Sequence, residues 1–178
     1  MSSTEDRAST ETILDVEAAS RTFAQEPGEG EAWWWVELLA TIKATKEQTD
    51  GRYTLVEILA PDGYGSVLHV HHREDEGFWI LEGELTFYVG DQTIKAHPGS
   101  FLFGPKDVPH AFTVDSGPAK LLFVLSPAGL EDLVRDMGEP AGSLTVPPQA
   151  PPSEAEMLQM AAIAAQHGAE ILGPPPGR

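Results

Sequence analysis

The stretch that decides the fold runs Gly63-Tyr64-Gly65-Ser66-Val67-Leu68-His69-Val70-His71-His72-Arg73-Glu74-Asp75-Glu76 and continues to Gly83. Side chains two apart on a β-strand share a face, so His69 and His71 present two imidazoles side by side, and His72 points the other way. Glu76 would lie on the opposite face of an unbroken strand. We therefore expect residues 72–75 to form a turn, after which Glu76 restarts a strand that Gly83 ends.

A second informative stretch, Gly104-Pro105-Lys106-Asp107-Val108-Pro109-His110, follows a short apolar run. A single histidine after a proline-rich turn carries little weight alone. His110 gains weight as a fourth ligand beside His69, His71 and Glu76. The chain has no cysteine, so a metal would be held by nitrogen and oxygen atoms, and three imidazoles with one carboxylate suit Fe, Mn, Co, Ni or Zn.

These two stretches resemble the cupin family. Gly63, five residues, His69-x-His71, four residues, Glu76, six residues and Gly83 match the first cupin motif in full, and residues 105–110 resemble the second. The resemblance covers about residues 33–135 and is closest to small bacterial cupins related to quercetin dioxygenase. Two departures lie in the second motif, which usually has glycine at Asp107 and asparagine at Val114. Asp tolerates a positive φ better than most residues, so the turn can survive.

The resemblance implies an all-β fold, the cupin double-stranded β-helix or jelly-roll barrel, with short C-terminal helices. Short β-like runs punctuated by Gly, Pro or Asp between Trp33 and Pro127 agree with it. We divide the chain into an acidic flexible arm (1–31), a cupin barrel (32–130) and a helical, proline-rich extension (131–178). In the extension, Ser153 and Glu156 form a capping-box pattern that predicts a helix ending near His167.

The resemblance also implies one divalent metal ion, held by His69, His71, Glu76 and His110. Apolar side chains on the same face form the expected substrate pocket: Phe78, Ile80 and Phe112. The leading hypothesis is a quercetinase-like dioxygenase that cleaves a hydroxylated aromatic of the flavonol type, with Glu76 as catalytic base. Two alternatives stay open, a redox-neutral cupin isomerase or lyase and a small-molecule-binding cupin without turnover.

Composition restricts the partners. The net charge of −17 argues against binding nucleic acid or an anionic membrane surface. No apolar run approaches the ~20 residues that a transmembrane helix needs, and the first 25 residues lack an apolar signal core, so a cytoplasmic protein is expected. We also expect a homodimer, because pairing covers exposed sheet edges. The run Trp33-Trp34-Trp35 could pack at the barrel mouth, form a subunit contact or stack on an aromatic ligand.

Overall fold

The computed structural model describes residues 22–150 and 152–177. Within these ranges, short antiparallel strands predominate and three helices join them. The strands are β1 (Glu31–Trp35), β2 (Leu38–Ala44), β3 (Thr54–Ala60), β4 (Leu68–His71), β5 (Asp75–Val89), β6 (Gln92–Ala96), β7 (Phe101–Gly104), β8 (His110–Ser126), β9 (Glu139–Pro140) and β10 (Ala169–Gly173). The helices are α1 (Lys46–Thr49), α2 (Leu130–Met137) and α3 (Glu154–Gln166). The predicted all-β double-stranded β-helix with short C-terminal helices is confirmed.

The long strands β5 and β8 are the centre of the fold. They pair with each other along most of their length, and β8 also pairs with β3 and β4. Burial alternates along β3, where Val56 and Ile58 are fully buried between partly exposed neighbours, as expected for strands with one face on a core. Aromatic rings from both long strands fill that core, and Phe78 contacts both Phe87 and Phe123 edge-on or tilted.

Among the residues that the structure describes, the strands form an open sheet, so the predicted closure into a barrel is wrong. The hydrogen-bonded order runs as an open path from β10 through β4, β8, β3, β2 and β1 to β9, and β5 carries β6 and β7 on the side. Closure requires every strand to pair on both edges. β9 is only two residues long and ends in Pro140, which lacks an N–H, and β10 is followed at once by Pro174.

Several predicted strand ends differ from the structure. β5 passes through Gly83 instead of ending there, with shifts in its register to β8 between Ile80 and Leu85. Gly83 has a φ of +86°, and a Cβ at this position would lie 2.7 Å from the Cβ of Ala119. Gly83 therefore allows β5 and β8 to approach each other closely where their register shifts. Within the β-like region predicted between Trp33 and Pro127, the stretch from Trp35 to Ile42 is split by a turn at Val36, whose φ is +60°.

The C-terminal extension packs over one end of the sheet. Ser153 and Glu156 form the predicted capping box of α3, and this helix is followed by β10, which pairs antiparallel with β4. Ile171 and Ala169 stand opposite His69 and His71 in that pairing. The extension thus protects the strand that carries two of the predicted ligands. Of the predicted acidic arm, residues 1–21 lie outside the described residues.

A second face of the sheet remains exposed. It consists of large apolar side chains on β5, β7 and β8, here named the outer apolar face: Trp79, Leu81, Phe101, Phe103 and Val124. Trp79 and Phe101 are register partners with ring centroids 6.3 Å apart. The tryptophan run lies elsewhere, where Trp33 and Trp35 pack against the core and the indole of Trp34 donates to the carbonyl of Thr145.

Candidate metal centre

The four predicted ligands come from three strands and converge. His69 and His71 lie on β4, Glu76 is the second residue of β5, and His110 begins β8. His69 stands directly opposite His110 in the pairing of β4 with β8. One ligand atom from each of the four residues can be chosen so that all four atoms lie within 4.8 Å of one another. As expected from strand alternation, His72 is exposed on the other side and contacts Asp107.

The turn between β4 and β5 places Glu76. Residues 72–74 leave the strand, and β5 begins at Asp75. The carbonyl of His71 accepts a hydrogen bond from the backbone N–H of Asp107, which ties the first motif to the second. Asp107 has a φ of +64°, so this position keeps the left-handed conformation for which the family uses glycine, as expected. Val114 is a buried core residue.

Glu76 is the centre of the cluster. Its Oε2 lies 3.0 Å from Nε2 of His110 and 3.4 Å from Nε2 of His71, and the side chain is buried. A carboxylate is costly to bury without a compensating positive charge. A divalent cation bound among these atoms would supply that charge, so the donor set fits such an ion.

Backbone contacts set the tautomers of two imidazoles. Nδ1 of His69 lies 2.9 Å from the carbonyl oxygen of Val67, and Nδ1 of His110 lies 2.9 Å from that of Val108. A carbonyl can only accept, so each Nδ1 must carry the proton and donate it. In its neutral form each ring keeps the lone pair of Nε2 for a metal, the arrangement typical of metal-binding histidines. An ion bound at Nε2 of His110 would replace the proton that the charged form of this ring shares with Glu76.

Electrostatics keep the cluster in a state that favours a cation. Burial, together with the neighbouring His110 and His71 rings, lowers the pKa of His69 to about 4, so this ring is neutral at physiological pH. Burial acts to raise the pKa of Glu76, but the hydrogen bond from His110 and the nearby rings outweigh it and the pKa is lowered. Burial lowers the pKa of His110, but its contact with Glu76 outweighs this and the pKa is raised. The cluster therefore presents an ionised carboxylate beside at least one neutral imidazole.

A cavity of about 240 Å³ opens at the cluster. Its wall contains His69, His71 and Glu76, and of the predicted pocket residues it contains Phe78 and Phe112. Ile80 is fully buried in the core and is not part of this wall. Ligand pockets commonly measure about 300–1,000 Å³, so this one suits a compact ligand.

Most of the remaining wall was not predicted as pocket. The C-terminal extension supplies apolar side chains: Leu133, Met137, Met157, Met160, Ala164, Ala169, Ile171 and Pro175. The capping box predicted the helix that carries Met157, Met160 and Ala164, but not that these side chains line the cavity at the ligand cluster. Trp35 also lines the cavity. The sequence left the role of the tryptophan run open and did not single out Trp35 as a cavity residue.

Comparisons with known proteins agree with the fold and the motif. Residues 55–125 match the family model of the cupin domain. A quercetin 2,3-dioxygenase of Bacillus subtilis is 34% identical over 118 residues, which cover 66% of this chain and 35% of that protein. A quercetin 2,3-dioxygenase of Aspergillus japonicus is 28% identical over 108 residues, covering 57% of this chain and 31% of that protein. The chain spans about a third of the length of these curated relatives.

Solved structures show the same architecture. An RmlC-like cupin from Shewanella frigidimarina superposes with a TM-score of 0.54 at 20% identity, over 62% of this chain and 94% of that one. Together with the motif and the strand arrangement, these matches place the chain in the cupin superfamily. In the described part of the chain, no helix is both long and apolar enough to span a membrane.

Proposed function

We propose that this protein is a metal-dependent cupin dioxygenase that cleaves a hydroxylated aromatic small molecule of the flavonol type. One observation carries the proposal: His69, His71 and Glu76 form part of the wall of an otherwise mostly apolar cavity, and His110 belongs to the same cluster of possible ligands. The similarity to two quercetin 2,3-dioxygenases supports the choice of substrate class and reaction.

In this proposal, His69, His71, Glu76 and His110 hold one divalent ion. The fixed tautomers of His69 and His110 direct Nε2 towards the ion. When bound, such an ion acts as a Lewis acid towards a substrate hydroxyl, and a redox-active one also exchanges electrons with O₂. The protein contributes the geometry and a site shielded from water.

Glu76 acts as general base in the same proposal. Its Oε2 faces His71 and His110, and its other carboxylate oxygen is the acceptor for the proton of the arriving substrate hydroxyl. A general base must lie within about 3 Å of the proton-bearing atom. The lowered pKa of Glu76, caused by His110 and the neighbouring rings against the effect of burial, keeps the carboxylate ionised to accept the proton.

The cavity wall selects the ligand. Phe78 and Phe112 present aromatic surface next to the cluster, and apolar side chains of α3 and β10 line another part of the wall. Apolar walls with a few convergent polar groups bind flat, apolar ligands and exclude water. A hydroxylated aromatic fits both the polar ligand cluster and the apolar wall, since its hydroxyl reaches the cluster while its ring contacts the wall.

Oxygen uptake tests this proposal. Metal-loaded protein should consume one O₂ for each flavonol molecule lost. His71→Ala should abolish both signals, and the matched control His72→Ala, which removes an exposed neighbour of the same chemistry, should leave them intact. Flavonol loss without oxygen uptake would favour redox-neutral chemistry, and binding without loss would favour a binding module. Either result would overturn the dioxygenase assignment.

A further inference from the structure

Glu74 is a buried carboxylate that the proposed metal site does not use. It lies in the turn between β4 and β5, two residues before Glu76, and only 7% of it is exposed. The neighbours Arg73 and Asp75 are polar and exposed. The sequence therefore did not predict that Glu74 is buried. Its Oε2 atom is buried and has no hydrogen-bond partner among residues 22–150 and 152–177. Leaving a charged group in this state costs stability, so its presence requires a reason.

The imidazole of His71 lies close to the Glu74 carboxylate. Oε2 of Glu74 lies 3.7 Å from Nδ1 of His71, and Oε2 of Glu76 lies 3.4 Å from Nε2 of the same ring. The ring is therefore flanked by two carboxylates, one at each nitrogen. Glu76 belongs to the cluster of possible ligands, whereas Glu74 lies on the opposite edge of the ring, away from that cluster.

His71 also differs from the other two histidines. His69 and His110 each donate from Nδ1 to the backbone carbonyl two residues earlier, at 2.9 Å. His71 makes no such contact among the hydrogen bonds of the described residues, and the acceptor near its Nδ1 is the Glu74 carboxylate. Each of the three rings needs its proton on Nδ1 if Nε2 is to bind a metal. For His69 and His110 the nearby acceptor is a backbone carbonyl, and for His71 it is the side chain of Glu74.

We propose that Glu74 is a positioning residue that holds the proton of His71 on Nδ1 and so directs Nε2 to the metal ion. This inference rests on the metal site of the proposed function. The 3.7 Å separation is beyond a hydrogen bond, so the carboxylate acts through its charge, which is effective at short range in a buried site. Carboxylate partners of this kind orient metal-binding histidines and strengthen them as ligands.

The proposal predicts opposite effects on stability and on metal affinity. Glu74→Gln removes a buried charge that has no hydrogen bond at Oε2, so the metal-free protein should keep or raise its melting temperature. The same change should weaken metal binding about 10–100-fold, the usual effect of losing an outer partner of a ligand histidine. Glu74→Leu, which removes the polar group altogether, should behave in the same way.

Glu131 provides the matched control. It is a fully buried glutamate on α2, and it accepts hydrogen bonds from the backbone N–H of Lys46 and the hydroxyl of Thr54. Glu131→Gln should lower the melting temperature of the metal-free protein, because two satisfied contacts of a charged acceptor are weakened. Its metal affinity should equal that of the unaltered protein.

The experiment measures Zn²⁺ affinity by chelator competition, melting temperature without metal, and the histidine ¹⁵N resonances of the zinc-loaded protein. In Glu74→Gln, the Nδ1 resonance of His71 should move, while those of His69 and His110 keep their positions. Unchanged zinc affinity in both Glu74 variants would overturn the inference. A melting temperature that falls as in Glu131→Gln would also overturn it, by showing a structural role. Failure of the unaltered protein to bind zinc or any other divalent ion would instead remove the proposed function.

Discussion

Replacing Glu76 by glutamine separates the two roles proposed for this residue. The carboxylate is buried, with Oε2 at 3.0 Å from His110 and 3.4 Å from His71. Glutamine has nearly the same shape and keeps one carbonyl oxygen as a neutral ligand. It loses the negative charge and the ability to accept a proton, so Glu76→Gln should retain much of the metal but lose the base.

The magnitude follows from the role of a general base. Such a group contributes about 10²–10⁴-fold to turnover, which corresponds to about 2.7–5.4 kcal/mol of activation free energy. Glu76→Ala should lose both metal and turnover, because the buried pocket between His71 and His110 then contains only three ligands.

Metal content by elemental analysis and oxygen uptake with a flavonol are measured for both variants after equal metal loading. A metal-loaded Glu76→Gln protein with full activity would refute the base role. If Glu76→Ala kept the metal of the unaltered protein, the residue would not be a ligand. The two measurements therefore test the two roles independently.

Three further changes test other parts of the structure. Gly83→Ala should destabilise the protein by more than Gly99→Ala in thermal unfolding. Both glycines have a positive φ, which costs about 1–2 kcal/mol for a residue with a Cβ. At Gly83 the new Cβ would also collide, 2.7 Å from Ala119, whereas at Gly99 no atom of the described residues beyond its chain neighbours lies within 4 Å. Equal losses would contradict the close approach at the β5 irregularity. Ala164→Trp should fill the cavity and abolish turnover of the aromatic substrate while metal content stays unchanged; undiminished turnover would exclude the cavity as the substrate site. We also propose that the chain is a homodimer through the outer apolar face, so Phe101→Glu should give a monomer by light scattering because it places a charge in an apolar contact; a monomeric unaltered protein would reject the dimer.

The motif predicted the part of the site that depends on local spacing. Alternation along a strand places His69 and His71 on one face, and the turn before Glu76 returns the chain to that face. Asp107 could be expected to support the turn before His110 because aspartate tolerates a positive φ, and its φ is +64°. These features depend on a few neighbouring residues, so a single sequence contains the information.

Features that depend on distant contacts were not predictable in the same way. Arg73, Glu74 and Asp75 are equally polar in the sequence, and only the packing of the turn decides that Glu74 is the buried one. The cover formed by α3 and β10 depends on the path of the proline-rich segment, which sequence patterns do not specify. The turn at Val36 has no Gly, Asn or Asp to indicate it, so the sequence did not predict the break between β1 and β2.

The open sheet has a similar explanation. Short strands with punctuation between them predict a jelly roll but not whether the last edges meet. Edge pairing depends on the position of Pro140 and of the prolines after Gly173 relative to their neighbours in space. The motif therefore predicted the double-stranded β-helix correctly, whereas the predicted closure into a barrel was wrong.

The metal content of the purified protein tests the central claim most directly. Protein prepared without a histidine tag is dialysed against Fe, Mn, Co, Ni and Zn in turn, freed of unbound ions and measured by elemental analysis. About one ion per chain should be retained for at least one metal, and His69→Ala or His110→Ala should lose it. Retention of none of the five metals by the unaltered protein would contradict the claim that His69, His71, Glu76 and His110 form a metal site.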